Sequence, residues 1–283
     1  ISEFIIEYVN SNMQNWKVEP KIYCGDGFQD SIILSFGKPK TAIYAHMDSI
    51  GFTVKYNNEI IKIGGPVVKS GIELVGSDSK GKIEGKIIKK NEKIFIDFKR
   101  EIDRGTSLTF KMNFKEDNDY IQSCYLDNRL GVWNALKVAE NLEDGIIIFS
   151  CWEEHGGGSV GFLTNFIHTK YNINKALISD ITWVTEGVKA GEGVAISLRD
   201  SGIPRRKYIN KIVKLAKESN INFQLEVESS GGSDGNEIQK SPYPIDWCFI
   251  GAPEQNVHSP KEKVHKSDIQ SMVDIYKYLM ERL

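Results

Sequence analysis

Apolar positions follow two textures along this chain. At its two ends, short β-branched runs alternate with helical spacings. Residues 2–14 (SEFIIEYVNSNMQ) set Phe4, Ile5, Tyr8 and Val9 on one helix face behind a serine-containing start. The runs SIILSF at 31–36 and TAIYA at 41–45 are short and bounded by Gly, Pro and Asp, the pattern of buried strands. From Gly51 to Ile121 the texture changes to alternating segments, FTVKY, KIEGKIIKK, KIFIDF and LTFKMNF, with no amphipathic helix between them. Beyond Asp127 the first texture returns. It predicts helices near 129–142, 158–168, 204–219 and 266–282, and strands near 145–151, 175–180, 193–198 and 246–250. The expected fold is α/β: a three-layer α/β/α sandwich over 1–52 and 120–283, with a small antiparallel β-barrel or β-sandwich inserted at 53–119.

Composition narrows the classes. With 40% hydrophobic and 26% charged residues, the chain is neither disordered nor fibrous. Lys+Arg total 36 against 38 Asp+Glu, so no basic excess points to nucleic acid or an anionic membrane. The longest apolar stretch, near Ile146 to Trp152, is far short of a membrane span. Cys24, Cys124, Cys151 and Cys248 form no CxxC pair, which fits buried free thiols in a reducing compartment and a cytoplasmic location.

Candidate chemistry gathers where strands are predicted to end. TAIYA runs into His46-Met47-Asp48, and strand alternation sends His46 and Asp48 to one side. Asp48 could then hold the second imidazole nitrogen, as partners of metal-bound histidines do; the alternative is a strand-end histidine beside a surface aspartate. Asp127 opens a helical pattern, where an aspartate serves either as a cap or as a bridge between two cations. Glu153-Glu154 follow the apolar run GIIIFSCW and precede a glycine run. Adjacent acids there repel unless cations or donors neutralise them, although charge pairs are also common in solvated loops. Asp180 closes ALISD, and His258 lies in Asn256-Val257-His258-Ser259-Pro260. Together His46, Asp127, Glu154, Asp180 and His258 could converge on one sheet edge; such a nitrogen and oxygen donor set suits zinc, cobalt or manganese rather than a soft thiolate site. Ser229 to Gly235 is glycine-rich but lacks the Lys-Ser/Thr ending of a P-loop, so a turn lining a pocket is expected there. His155, His168 and His265 read as surface or packing residues.

Taken in order, AHMDSIGF, YLDNRLGV, WEEHGGG, LISD, GGSDG and VHSP resemble the glutamyl aminopeptidase family of dinuclear metallo-aminopeptidases, which includes the tetrahedral aminopeptidases and some chains labelled cellulases. The related carboxypeptidase and deacylase family usually carries its extra domain between the later metal aspartate and the final histidine. Here the β-textured gap lies between His46 and Asp127. The resemblance implies that His46, Asp127 and Asp180 hold one divalent ion, that Asp127, Glu154 and His258 hold the other, and that Asp127 bridges them. It also implies a metal-bridged hydroxide, Glu153 as general base, Asp48 orienting His46, and a homo-oligomer acting on peptides. The chain departs from the family at Ser49, at Asn128 and at Gln255-Asn256-Val257, the last bearing on the substrate pocket and not on the ligands. A noncatalytic metal-binding or assembly protein is the competing expectation, and a glycosidase the weaker one, since paired carboxylates that cleave glycosides need no histidine ligands.

Overall fold

The computed structural model describes residues 1–283. The chain forms two compact units, one of Ile1–Asp48, Asn128–Gln255 and Val264–Leu283, the other of Ser49–Asp127 and Asn256–Lys263. The chain opens with α1 (Ser2–Asn12), β1 (Lys21–Tyr23), β2 (Ile32–Phe36) and β3 (Ala42–His46). The second unit follows with β4 (Gly51–Val54), β5 (Ile60–Ile63), β6 (Glu73–Asp78), β7 (Gly81–Lys90), β8 (Lys93–Asp97), β9 (Ser107–Phe110), β10 (Lys115–Glu116) and β11 (Tyr120–Ser123). Then come α2 (Leu126–Ala139), β12 (Gly145–Ser150), α3 (Val160–Tyr171), β13 (Lys175–Trp183), β14 (Val194–Arg199), α4 (Arg206–Ser219) and β15 (Phe223–Val227). The last elements are α5 (Asp234–Lys240), β16 (Asp246–Gln255), β17 (Glu262–His265) and α6 (Lys266–Met280).

In the first unit the strands run β1-β2-β12-β3-β13-β16, with β14 beside β16 and β15 outside β14. From β12 through β3 and β13 to β16 the pairing is parallel. Tyr44, Ile146, Ile148, Ile178 and Phe249 bury one face against Val160, Leu163 and Ile167 of α3 and Ile238 of α5. Their neighbours Ile43, Ile147, Leu177 and Ile250 are equally inaccessible, and Tyr276 of α6 reaches the carbonyls of Ile178 and Ile250. A sheet covered on both faces needs apolar residues at successive positions, which is why these strands read as unbroken β-branched runs. The second unit holds a wholly antiparallel sheet, β5-β4-β9-β6-β7-β8. It encloses Phe52, Leu74, Ile83, Ile87, Leu108 and Phe110, and a bridge between Glu59 and Phe95 brings its two ends together. Arg100 grips Asp78 with both terminal nitrogens, at 2.6 and 2.7 Å, and ties down the β6–β7 turn.

Several sequence-based boundaries shift. Strand β13 does not stop at Asp180 but continues to Trp183, because its parallel partner β16 also runs on, pairing Asp180 with Gly251 and Trp183 with Glu254. One aspartate does not end a strand while the adjacent backbone still offers partners. Helix α2 starts at Leu126, so Asp127 sits inside the first turn instead of before it. The glycine-rich segment hides α5, capped by Ser233. A Cβ on Gly235 would lie 2.3 Å from Trp247, so this glycine serves close packing. Strands β1, β15 and β17 lie where the sequence pattern predicts none. Cys124 and Cys248 are buried, as expected, whereas Cys24 is exposed; all the cysteines are free. No helix is long and apolar enough to cross a membrane.

Candidate metal and catalytic centre

Sheet register builds the centre in the first unit. Tyr44 is level with Ile178 on the adjacent strand, and two residues further along each strand, by alternation, His46 and Asp180 project to the same side as these two, the side that α3 and α5 cover. Their side chains meet, with Nε2 of His46 3.6 Å from Oδ2 of Asp180. Across the ring, Nδ1 of His46 lies 3.6 Å from Oδ1 of Asp48. His46 is 2% and Asp180 5% exposed, so a buried imidazole stands between two carboxylates.

A short 3₁₀ turn, Glu153–His155, follows β12. Trp152 adopts φ 69° and turns the chain, and Asp48 then accepts hydrogen bonds from the backbone N–H of Glu153 at 3.1 Å and of Glu154 at 3.2 Å. That pinning leaves Oε2 of Glu153 4.0 Å from Nε2 of His46. Burial alone would raise the Asp48 pKa, but His46 and the two N–H donors outweigh it and hold the carboxylate ionised below its usual range. Gly157 is needed beyond the turn. Its φ is +73°, and a Cβ there would fall 2.0 Å from the Glu237 side chain. The Arg129 guanidinium fixes the loop after β3 by donating to the Met47 carbonyl at 2.7 Å.

In the second unit, Nε2 of His258 lies 3.2 Å from Oδ2 of Asp127. His258 has φ 62°, and its carbonyl accepts from Val67 N–H at 2.9 Å. A Cβ on Gly65 would approach the His258 Nδ1 to 3.0 Å. Glu262, fully buried, accepts from the N–H groups of Leu126 and Asp127. Burial, then the Asp127 charge, pushes its carboxyl above the usual range.

Two acids beside these residues escaped the sequence reading. Asp234, within GGSDG, is 1% exposed and receives the Ser150 hydroxyl. Burial pushes its pKa up to about 7. Ser150 is level with His46 on the neighbouring strand, so this bond lies on the same side of the sheet as the imidazole. The Ser-Asp pair at the head of a short helix was the available signal. Glu262 had none, because its burial depends on a distant helix N-terminus. His168 binds the Ile173 carbonyl and packs on Tyr243, and His265 caps α6. Both roles are structural.

The donors fit divalent cations. In the first unit one imidazole stands with Asp48, Glu153 and Asp180, and in the second an imidazole meets Asp127; mostly buried carboxylates at this density call for positive charge. His46 with Asp180, and Asp127 with His258, each bring ligand atoms within 4.8 Å. Imidazole nitrogen and carboxylate oxygen, without thiolate, match zinc, cobalt or manganese.

Comparison with known proteins is consistent across three sources. The family model for M42 glutamyl aminopeptidases matches residues 75–275. A curated relative from Acetivibrio thermocellus bearing an aminopeptidase name is 27% identical, over 97% of this chain and 91% of its own length. Among solved structures, an aminopeptidase of the archaeon Desulfurococcus kamchatkensis superposes with a TM-score of 0.86 at 22% identity, over 100% of this chain and 90% of that one. The TET1 peptidase of Pyrococcus horikoshii, described as assembling into a tetrahedron or a large octahedral shell, gives 0.81 at 22% identity, over 100% and 94%. The last two are likenesses of fold.

Proposed function

This chain belongs to the M42 glutamyl aminopeptidase family and is a peptidase, and on that premise we propose that it removes single residues from the amino ends of short peptides at a centre of two divalent ions. His46, Asp127 and Asp180 would hold one ion and Asp127, Glu154 and His258 the other, each set supplying one imidazole and two carboxylates. The observation that carries this reading is the buried His46 between Asp48 and Asp180, with the Glu153 carboxylate 4.0 Å away. A bound pair of divalent cations would acidify water and stabilise the oxyanion at the scissile carbonyl. Glu153 takes the proton from the attacking water and returns it to the leaving amine. Asp48 holds His46 on one side and the Glu153 backbone on the other, which fixes the base relative to the ligand. The region 53–119 would act as lid or assembly module in a homo-oligomer, a reading supported by the shell-forming fold neighbour.

The test is release of free amino acids from a mixed peptide library, followed by mass spectrometry on metal-loaded protein, chelated protein and Glu153→Gln. Proton transfer of this kind contributes about 10²- to 10⁴-fold, so Glu153→Gln should keep its metal and lose at least about 100-fold in turnover. Wild-type turnover in that variant would overturn the base assignment. Chelation should abolish release, and zinc, cobalt or manganese should restore it. Asp127→Asn should lower the occupancy of both ions in elemental analysis; loss of one alone would contradict the bridge.

A further inference from the structure

The outer strand β15 presents an open edge, and its one charged residue, Glu226, is turned inward and buried. It pairs with β14 and with no other strand, and its sequence, Phe-Gln-Leu-Glu-Val, contains neither proline nor lysine. Edge strands usually carry such residues or are covered, because a free row of N–H and C=O groups recruits further strands. Here the exposed side chains are apolar: Leu225 is 44% and Val227 63% exposed. Leu225 pairs with Ile196 across the β14 ladder. Beside it, a groove of about 450 Å³ has a floor of Leu198, Val213 and Leu225 and a rim of Arg206, Lys214 and Lys217, with Glu218 the only lining acid. Lys214 reaches Glu218 only at 3.9 Å and is 76% exposed, so the rim stays basic.

We propose that the free edge of β15 and this groove form a docking site for an extended peptide segment that carries apolar and acidic side chains on the same face. The segment would add as a strand to β15. Alternate side chains of a strand point to opposite faces, so every second residue of the segment would face the groove, an apolar one lying over Leu198 and Leu225 and a carboxylate two residues along meeting Lys214 or Lys217. Charge decides against a second copy of this chain as occupant. Pairing two β15 edges would bring two α4 helices side by side on one face of the joined sheet, and with them Arg206, Lys214 and Lys217 of both, a like-charge contact that opposes association. The site is separate from the metal centre and from its chemistry.

The probe is an N-acetylated, C-amidated Glu-Thr-Val-Thr-Glu-Thr peptide, whose Glu, Val and Glu share one face of the strand and which has no free amino end for the peptidase to act on. Binding is read by fluorescence anisotropy of a labelled version, and the location by hydrogen exchange on the full-length protein. The peptide should bind, slow exchange at the β15 amides and weaken as salt rises. Reversing two rim charges in Lys214→Glu/Lys217→Glu should weaken binding about tenfold, and Leu225→Lys should weaken it by removing the apolar floor. The Lys-Thr-Val-Thr-Lys-Thr counterpart should fail to bind. Equal binding of the two peptides, unchanged exchange in β15, or indifference to the charge reversal would each overturn the proposal. So would concentration-dependent dimerisation abolished by the same variants, which would assign the edge to a second copy.

Discussion

Gly131→Ala should destabilise the first unit far more than a helical Gly-to-Ala change normally does. Helix α2 crosses β13 at this residue, and a Cβ there would fall 2.1 Å from the Ser179 carbonyl oxygen and 2.2 Å from Asn128 Oδ1. The neighbours cannot simply give way. Asn128 donates to that Ser179 carbonyl at 2.9 Å and accepts from Gly131 N–H at 2.8 Å, while the Ser179 hydroxyl donates to the Gly131 carbonyl at 2.9 Å. Overpacking costs about 1–3 kcal/mol and each lost buried hydrogen bond about 1 kcal/mol, against a helix-propensity gain of about 1 kcal/mol. The net expectation is a loss of about 2–4 kcal/mol. Gly161→Ala in α3 is the control. Nothing lies within 4 Å of its added Cβ, so the same change should be neutral or stabilise by up to about 1 kcal/mol. Urea unfolding followed by far-UV circular dichroism measures both. A Gly131→Ala variant within about 0.5 kcal/mol of wild type would refute the claim that this glycine is required by close packing rather than tolerated.

Other expectations follow from single contacts. Tyr276→Phe leaves the buried Ile178 and Ile250 carbonyls without their shared donor and should cost about 1–3 kcal/mol in urea midpoints. Asp78 is held well below the usual carboxylate range chiefly by Arg100; its stabilising contribution is therefore present above the unfolded pKa and lost on acidification, so the stability gap between wild type and Asp78→Asn should shrink below about pH 4. Asp234 carries the opposite sign. Burial raises its pKa to about 7, so wild type should lose stability from about pH 4 upward to the folded pKa, and Asp234→Asn, compared in chelated protein, should gain relative to it over that interval and level off above it. A gap that did not change with pH would remove the burial explanation.

The sequence by itself determined the α/β class, the change of texture to an antiparallel insert, and the identities of the candidate donors, because these depend on local periodicity and on side-chain chemistry. Unbroken apolar runs declared β2, β3 and β12 buried on both faces, and alternation declared the second sheet. It also placed Asp48 near His46, since the two are only two residues apart in the chain. What it could not determine depends on partners far along the chain. Asp180 sits inside β13 because β16 continues beside it, a fact absent from the residues around Asp180. Glu262 and Asp234 are buried acids only because a helix N-terminus and the Ser150 hydroxyl meet them after folding. Gly131 reads as a weak helix residue and Gly235 as a loop residue, until β13 and Trp247 approach them. The meeting of His46 with Asp180 came from tertiary structure alone, since strand register decides which side chains come together and register belongs to the sheet, not to either strand.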